Sequence, residues 1–132
     1  MLELTDALRT RFDSQIGTNI VGGYWAGLVG EGKAFPFVVM DEISAPIDWR
    51  YGNASLYDAQ IQFAVYGAGK AATAAKMALV TACYDNVILT LASGKMVSAT
   101  RLTEPISTFQ GKNDDGEDIW QYVTTYRFSV RK

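Results

Sequence analysis

Apolar residues recur at every fourth position in the first segment of the chain. Leu4, Leu8 and Phe12 follow this spacing, which places them along one stripe of a helix. Gly17 ends the pattern. The glycine-rich stretch 17–34 that follows predicts a long loop, interrupted by one short strand at its tyrosine–tryptophan pair.

Two strand patterns come next. The run FPFVVM, which ends at Met40, is continuously apolar and indicates a strand covered on both faces. Residues 57–66 alternate instead, which predicts a strand with one buried face and one wetter face. The apolar positions of that alternation are Tyr57, Ala59, Ile61, Phe63 and Val65. Residues 44–56, SAPIDWRYGNASL, are predicted to be a turn-rich connection.

The last third of the chain predicts a helix and a strand pair. Core-facing apolar residues step by three or four through residues 70–94, and Gly94 is expected to end this helix. Those residues are Met77, Val80, Tyr84, Val87 and Leu91. Residues 96–103 and 119–130 predict two strands joined by the polar loop QGKNDDGED. The second strand would span about 40 Å, so we expect its hairpin to project from the domain.

These elements predict an α+β fold in a single domain, residues 1–132. We expect a mostly antiparallel sheet of four to five strands, with two helices packed on one face and a long projecting C-terminal hairpin. Composition agrees, since 48% of the 132 residues are hydrophobic and the formal net charge is −2. No block of Lys and Arg is present, which argues against a dedicated nucleic-acid surface.

The chain has no histidine and a single cysteine. This composition excludes Ser-His and Cys-His nucleophile pairs, zinc sites that use histidine, and an internal disulfide. Cys83 is predicted to be a small buried hydrophobic residue. The N-terminal sequence lacks the pattern of a signal peptide, and no apolar run is long enough to span a bilayer. We therefore expect a soluble protein made in a reducing cytoplasm.

The stretch YGAGKAAT, residues 66–73, lies where a phosphate-binding loop would lie, between a strand and a helix. A P-loop reads G-x-x-x-x-G-K-[ST]. Gly69 and Lys70 match, but Ala64 replaces the first glycine and Ala71 replaces the magnesium-binding hydroxyl. We predict an ordinary strand-to-helix turn here, with a small nucleotide-handling domain as the alternative.

Acidic residues suggest two further kinds of site. Asp114, Asp115, Glu117 and Asp118 surround a glycine, as in a calcium loop, but the first and last ligand positions hold Gly111 and Tyr122. We therefore predict a solvated hairpin turn rather than a metal-binding domain. Asp41 and Glu42 follow an apolar strand, and a carboxylate hydrolase is the hypothesis that they raise.

One aromatic and basic cluster has the composition of a protein interface. Trp49, Arg50 and Tyr51 are consecutive, and these residue types are enriched among interface hot spots. The alternative for the tryptophan is ordinary core packing. We predict that this cluster contacts a partner.

The order of the segments also carries a resemblance. A short N-terminal helix is followed by FPFVVM, then IQFAVYG, an alanine-rich helix, and the aromatic alternation IWQYVTTYRFSV. This arrangement resembles the tail-completion and tail-terminator proteins of long-tailed bacteriophages and related prophage elements. It spans nearly the whole chain and rests on structural strands, not on catalytic residues.

The resemblance implies a role in assembly. Such subunits close into a ring, typically a hexamer, at the head-proximal end of the tail tube, where they stop polymerisation and receive the head. The implied partners are copies of the chain, the tail tube protein and the head–tail connector protein. DNA would pass through the ring without specific binding. No catalytic residue, cofactor, metal or membrane is implied.

The same resemblance implies a location in the neck or tail of a virion assembled in the cytoplasm of a bacterial host. The interface residues that we expect are Trp49, Arg50, Tyr51, Asp114, Asp115, Glu117 and Asp118, the four acids facing the lumen at the hairpin tip. A connector subunit on the head side of the joint is the nearest alternative. A small nucleotide- or metal-binding enzyme domain is the alternative from a different class.

Overall fold

The computed structural model of the protein describes residues 2–26, 34–51, 54–91 and 94–131; for residues 2, 44–51, 54 and 55 it describes the backbone alone. These ranges form two helices, one short 3₁₀ turn and six strands. The α+β fold expected from the sequence is confirmed. Its sheet has six strands rather than four to five.

Both helices pack on one face of the sheet. Helix α1 spans Leu2–Gln15 and is followed by a 3₁₀ turn at Gly17–Asn19; helix α2 spans Lys70–Tyr84. The predicted stripe of α1 is confirmed, because Leu4, Leu8 and Phe12 are each at most 1% exposed. They share one hydrophobic core with α2 and with the inward side chains of the sheet.

The strands are β1 (Tyr24–Ala26), β2 (Phe37–Tyr51), β3 (Ala54–Ala68), β4 (Lys95–Arg101), β5 (Ile106–Lys112) and β6 (Asp118–Arg131). Their order across the sheet is β1-β2-β3-β6-β4, with β5 also paired to β6. All pairs are antiparallel except β1 with β2. The sheet therefore has β1 and β2 at one edge and β4 and β5 at the other.

The predicted connection at residues 44–56 is wrong. Strand β2 continues to Tyr51, and β3 begins at Ala54, so the two form one long hairpin. The pairing register shifts between Glu42 and Ser44 and again between Ser44 and Ile47. These shifts let the strand pairing continue through the irregular sequence. Bulges of this kind let a strand pass residues that a regular ladder excludes.

The predicted helix 70–94 is too long. Helix α2 ends at Tyr84, and Asn86 takes a positive φ of 55°, a conformation that ends helices. Val87 and Leu91 are nevertheless buried, as expected. The apolar spacing continued past the helix because the following turn also packs onto the core.

The predicted strand 96–103 is confirmed in part, and a further strand was missed. Strand β4 ends at Arg101, and β5 then pairs with the first half of β6 while β4 pairs with the second half. Strand β6 thus lies between β3 and an interrupted edge strand. The β5–β6 hairpin ends in the turn 113–117, past the last β3 pair, Ala68 with Ile119.

The core is rich in aromatic rings. Phe63 stacks on Tyr84 with ring centroids 4.5 Å apart, and Tyr126 stacks on Phe128 at 5.7 Å. The alternation predicted for residues 57–65 is confirmed, since every inward side chain there is at most 2% exposed. The helix-covered face is therefore a closed core.

Candidate interaction surfaces

The glycine turn before α2 is a packing device. A Cβ on Gly67 would lie 2.6 Å from Oγ1 of Thr73, so this position lets the helix approach the strand closely. Gly69 has a φ of 85°, and its N–H donates to the carbonyl oxygen of Asp118 at 2.8 Å. That donor, which a phosphate would need, is already paired with the backbone.

Lys70 also has a partner inside the domain. Its Nζ lies 5.0 Å from the ring centroid of Trp120, a cation–π distance. The Trp120 ring in turn meets Phe109 edge-on at 5.5 Å. The lysine that would reach a phosphate therefore covers an aromatic pair on the sheet.

The acidic tip is a hairpin turn organised by Asn113. Its side-chain oxygen accepts the N–H of Asp115 at 3.1 Å and the N–H of Glu117 at 2.9 Å. Asp118 forms an ion pair with Lys112 at 2.6 Å, while Asp114 and Asp115 are exposed. Among the described residues, no group of three or more metal-ligating side chains is close enough to hold an ion. The predicted turn is confirmed.

Asp41 and Glu42 do not form a catalytic pair. They are consecutive on the extended strand β2, so their side chains point to opposite faces. Both are exposed. The geometry that a carboxylate hydrolase needs, two acids facing one cleft, is not formed by these two residues.

The predicted interface cluster lies on β2, near the tip of its hairpin. Trp49 pairs with Leu56 and Arg50 with Ser55 through the backbone. The side chains of Trp49, Arg50 and Tyr51 lie outside the described part of the chain. Their contact with a partner stays a prediction.

Burial keeps the polar groups of the core in their neutral forms. Desolvation is the largest cause of the raised pKa values of Tyr24, Tyr84 and Tyr126. Burial likewise raises the pKa of the Cys83 thiol, although Arg11 beside it acts in the opposite direction. The cysteine is 4% exposed, which confirms the buried position predicted for it and disfavours its reactive thiolate form.

A polar cluster ties the end of α2 to the sheet. The Tyr126 hydroxyl donates to Oδ1 of Asp85, and Oδ2 of the same carboxylate lies 3.5 Å from the Arg101 guanidinium. Glu104 adds an outer ion pair to that arginine at 3.7 Å. These groups interact with one another inside the subunit, so this cluster has a structural role.

The exposed apolar side chains collect at the two edges of the sheet. Seven large hydrophobic side chains are at least 40% exposed among those that the structure describes. Five lie at or beside the β4–β5 edge: Ile88, Val97, Leu102, Ile106 and Phe109. The other two, Val21 and Ile43, lie beside β1 and on β2. Exposed apolar groups concentrated in this way indicate contact surfaces.

The sheet face opposite the helices carries an aromatic and amide row. Phe37 stacks on Tyr66 at 5.0 Å, and the Tyr66 hydroxyl accepts a hydrogen bond from Nε2 of Gln121 at 2.6 Å. Gln110 donates to Gln121 at 3.3 Å. This half-buried row of aromatic and polar groups resembles a protein interface more than a closed core.

Sequence reasoning missed the β5 edge. The alternating segment ISTFQGK, residues 106–112, has a strand pattern, but the polar composition around it favoured a loop. The exposure of Phe109 and Ile106 depends on β5 being the last strand beside β6. That fact follows only from the pairing of strands distant in sequence.

Comparison with solved structures gives a strong match to a virion protein. A chain from the virion of a native gene transfer agent (GTA) particle superposes with a TM-score of 0.70 over 98% of this chain and 96% of its own length. The two sequences are 17% identical, so the match shows a shared fold. A second solved chain, at 11% identity over 94% of each chain, has a TM-score of 0.48 and supports no argument.

No protein-family model and no curated protein sequence matches the chain. Among the described helices, none is both long and apolar enough to cross a bilayer. The shared α+β fold and the apolar sheet edges are therefore the two findings that bear on function.

Proposed function

We propose that this protein is a structural subunit of a phage-type virion. It closes into a ring, typically a hexamer, at the head-proximal end of the tail tube, where it ends tube polymerisation and presents the surface for head–tail joining. The observation that carries the proposal is the fold shared, over nearly the whole length, with a chain from a gene transfer agent virion. The protein acts through its surfaces and not as an enzyme.

The distribution of apolar groups supports self-association. The two sheet edges differ in sequence and shape, and each exposes large apolar side chains. Two different patches on one subunit form a head-to-tail contact, which closes into a ring when the rotation between neighbours divides a full turn. A closed ring has no free patch left, so growth stops.

The remaining surfaces suit the other partners. The tail tube protein and the head–tail connector protein would bind the two rims of the ring. The exposed carboxylates of Asp114 and Asp115 at the hairpin tip would repel DNA phosphates and let DNA pass without specific binding. The subunit would be assembled in the cytoplasm of a bacterial host and remain in the virion neck.

The test combines mass and tube length. The protein is co-expressed with the tail tube protein from the same genome, and tubes are examined by electron microscopy and light scattering. We expect closed rings at one end of each tube, and tubes that stay short. Co-purification with filled heads and not with tubes would favour the head-side connector instead. A protein that neither associates with itself nor binds either structure would contradict the proposal.

The hairpin tip gives a more specific prediction. Replacing Asp114, Asp115, Glu117 and Asp118 by lysine should impair DNA passage or docking, because cations in the lumen would bind the phosphates. The measurement is infectivity or DNA delivery by particles that contain the variant ring. Fully active particles would place these acids outside the lumen.

A further inference from the structure

We propose that subunits dock through a charge-matched contact between the two sheet edges. The basic edge patch consists of Ile88, Lys95, Val97 and Arg131, beside β4. The acidic edge segment consists of Asp41, Glu42 and Ile43, on β2. The basic edge patch of one copy receives the acidic edge segment of a second copy. This inference rests on the proposed ring and identifies the residues that close it.

Both surfaces lie at outer edges. Strand β4 is the last strand beside the C-terminal half of β6. Strand β1 covers β2 only opposite Val38, Val39 and Met40. Within the ranges that the structure describes, β2 therefore has an uncovered edge from Asp41 onward. Strand β4 has one beyond Met96, since Thr90 bridges to Lys95 and the Met96 N–H donates to the carbonyl oxygen of Leu89.

The basic edge patch contains two unmatched cations. Lys95 and Arg131 are directly opposite each other on β4 and β6, and both are exposed. Like charges at opposed positions of a sheet destabilise it. Elsewhere on this edge, Arg101 and Lys112 have carboxylate partners in the same subunit. Among the described residues, Lys95 and Arg131 have none, so a carboxylate from another subunit would relieve the repulsion.

The acidic edge segment contains two carboxylates without an ion-pair partner among the described residues. Asp41 and Glu42 are adjacent and exposed, and neither forms an ion pair with any residue that the structure describes. The two edges therefore carry local charges of opposite sign. Because Asp41 and Glu42 point to opposite faces of β2, one carboxylate would meet the face that Lys95 and Arg131 share. Such complementarity steers association and fixes which surfaces meet.

The apolar parts fit as well. Ile88 and Val97 are 52% and 53% exposed, and together with Lys95, Met96 and Arg131 they line a shallow groove of about 350 Å³. Ile43 is 50% exposed and follows the two acids. Its side chain would enter the groove while one of the two carboxylates meets the cations at the rim.

The strand irregularities favour docking by side chains. Val97 is the extra residue where the register of β4 shifts, and Ile43 lies at a register shift of β2. Bulges at sheet edges oppose continuous backbone pairing with another chain. The contact is also head-to-tail, because the two surfaces are different, which is the kind of contact that a ring requires.

Disulfide trapping tests the contact. The variants Ile43→Cys and Val97→Cys are mixed, free and on tail tubes, and oxidised mildly. We expect a cross-linked dimer from the mixture and none from either variant alone. Wild-type protein is the control for the buried Cys83. Cross-linking of one variant with itself would show a symmetric contact and overturn the inference, and so would the absence of any cross-link.

Charge reversal tests the specificity. Lys95→Glu with Arg131→Glu should weaken the cross-linking of the Val97→Cys protein by at least about tenfold, because attraction becomes repulsion. Asp41→Lys with Glu42→Lys in the Ile43→Cys partner should restore it. Asp6→Lys with Asp13→Lys, two exposed acids on α1, is the matched control and should change nothing. Rescue by this control, or no loss on reversal, would overturn the inference.

The two proposals fail in different ways. If rings cap tubes but no Ile43–Val97 cross-link forms, the proposed contact is wrong and the proposed function still stands. If the cross-link forms but the protein binds neither tubes nor heads, the proposed contact is supported and the proposed function is wrong. Wild-type particles imaged at the neck provide the reference for both outcomes.

Discussion

The aromatic core and the β4–β5 edge both contain large apolar side chains, which are buried in the core and exposed at the edge. Phe63 on β3 and Tyr84 at the end of α2 stack on each other and are completely buried. Phe109 and Ile106 lie on a strand of the same sheet and are 50% and 63% exposed. The first pair holds the subunit together, and we propose that the second pair is available to a neighbour.

The difference follows from the position of each strand. Strand β6 has paired strands on both sides and helices over one face, so its inward side chains from Thr124 to Val130 are fully buried. Among the strands that the structure describes, β5 pairs with β6 alone. An apolar side chain at an edge therefore stays in water in the free subunit. Its burial against another subunit would stabilise association.

The largest effect is expected in the core. Phe63→Ala should lower the free energy of unfolding by about 3–5 kcal/mol, because it removes a buried ring and leaves a cavity beside Tyr84. Urea denaturation monitored by circular dichroism measures the change. A loss below about 1 kcal/mol, typical of surface sites, would contradict the assignment of Phe63 to the core.

The buried tyrosines predict a pH dependence. The pKa values of Tyr24, Tyr84 and Tyr126 are raised above the ordinary 10.0, so the unfolded chain loses these protons first. Stability should be fully present below pH 10 and fall above it, by about 1.4 kcal/mol per pH unit for each group. Denaturation midpoints between pH 8 and 11 measure this slope.

Tyr126→Phe provides the control for that slope. It removes one titrating hydroxyl together with its hydrogen bond to Asp85. The variant should be less stable at pH 8 but should lose less stability between pH 10 and 11. An unchanged slope would mean that Tyr126 ionises equally in the folded and unfolded chains.

The glycine turn gives a smaller effect. Gly67→Ala should destabilise the fold by about 1–3 kcal/mol, because the new methyl group would overlap Oγ1 of Thr73. Thermal unfolding measures the loss, and the second substitution Thr73→Ala should recover part of it. If instead the turn bound a phosphate, adding ATP would raise the melting temperature of the wild-type protein.

The smallest effect on stability is expected at the edge. Phe109→Ser should change the free energy of unfolding by less than about 0.5 kcal/mol, because half of the ring is already in water. Its effect should appear in assembly, as fewer rings by light scattering. A large loss of monomer stability would mean that the Phe109–Trp120 contact belongs to the core.

Much of the fold was predictable because burial imposes a period on the sequence. The stripe of α1 and the alternation of β3 both follow from one face meeting the core. The end of α2 was not predictable from spacing, since the turn after Tyr84 packs on the same core as the helix. The long β2–β3 hairpin was not predicted, because the proline, glycine and asparagine near its tip are typical of turns.

The candidate surfaces were predicted less well. The sequence indicated the hairpin turn at Asp114 and Asp115, and the interface cluster at Trp49 stays a prediction. It did not indicate that Lys95 and Arg131 are opposed, because they are distant in the chain and meet only when β4 pairs with β6. Exposure of Val97 likewise depends on a bulge that no local pattern predicts.

The sequence by itself determined the α+β class, the buried faces, the lack of histidine chemistry and the polar hairpin turn. These properties depend on local spacing and composition, which act over a few residues. Only the tertiary structure decided which strands are edges, and therefore which apolar and charged side chains face outward. Edge positions depend on pairing between remote segments, and a linear pattern contains no record of which strand is left without a neighbour.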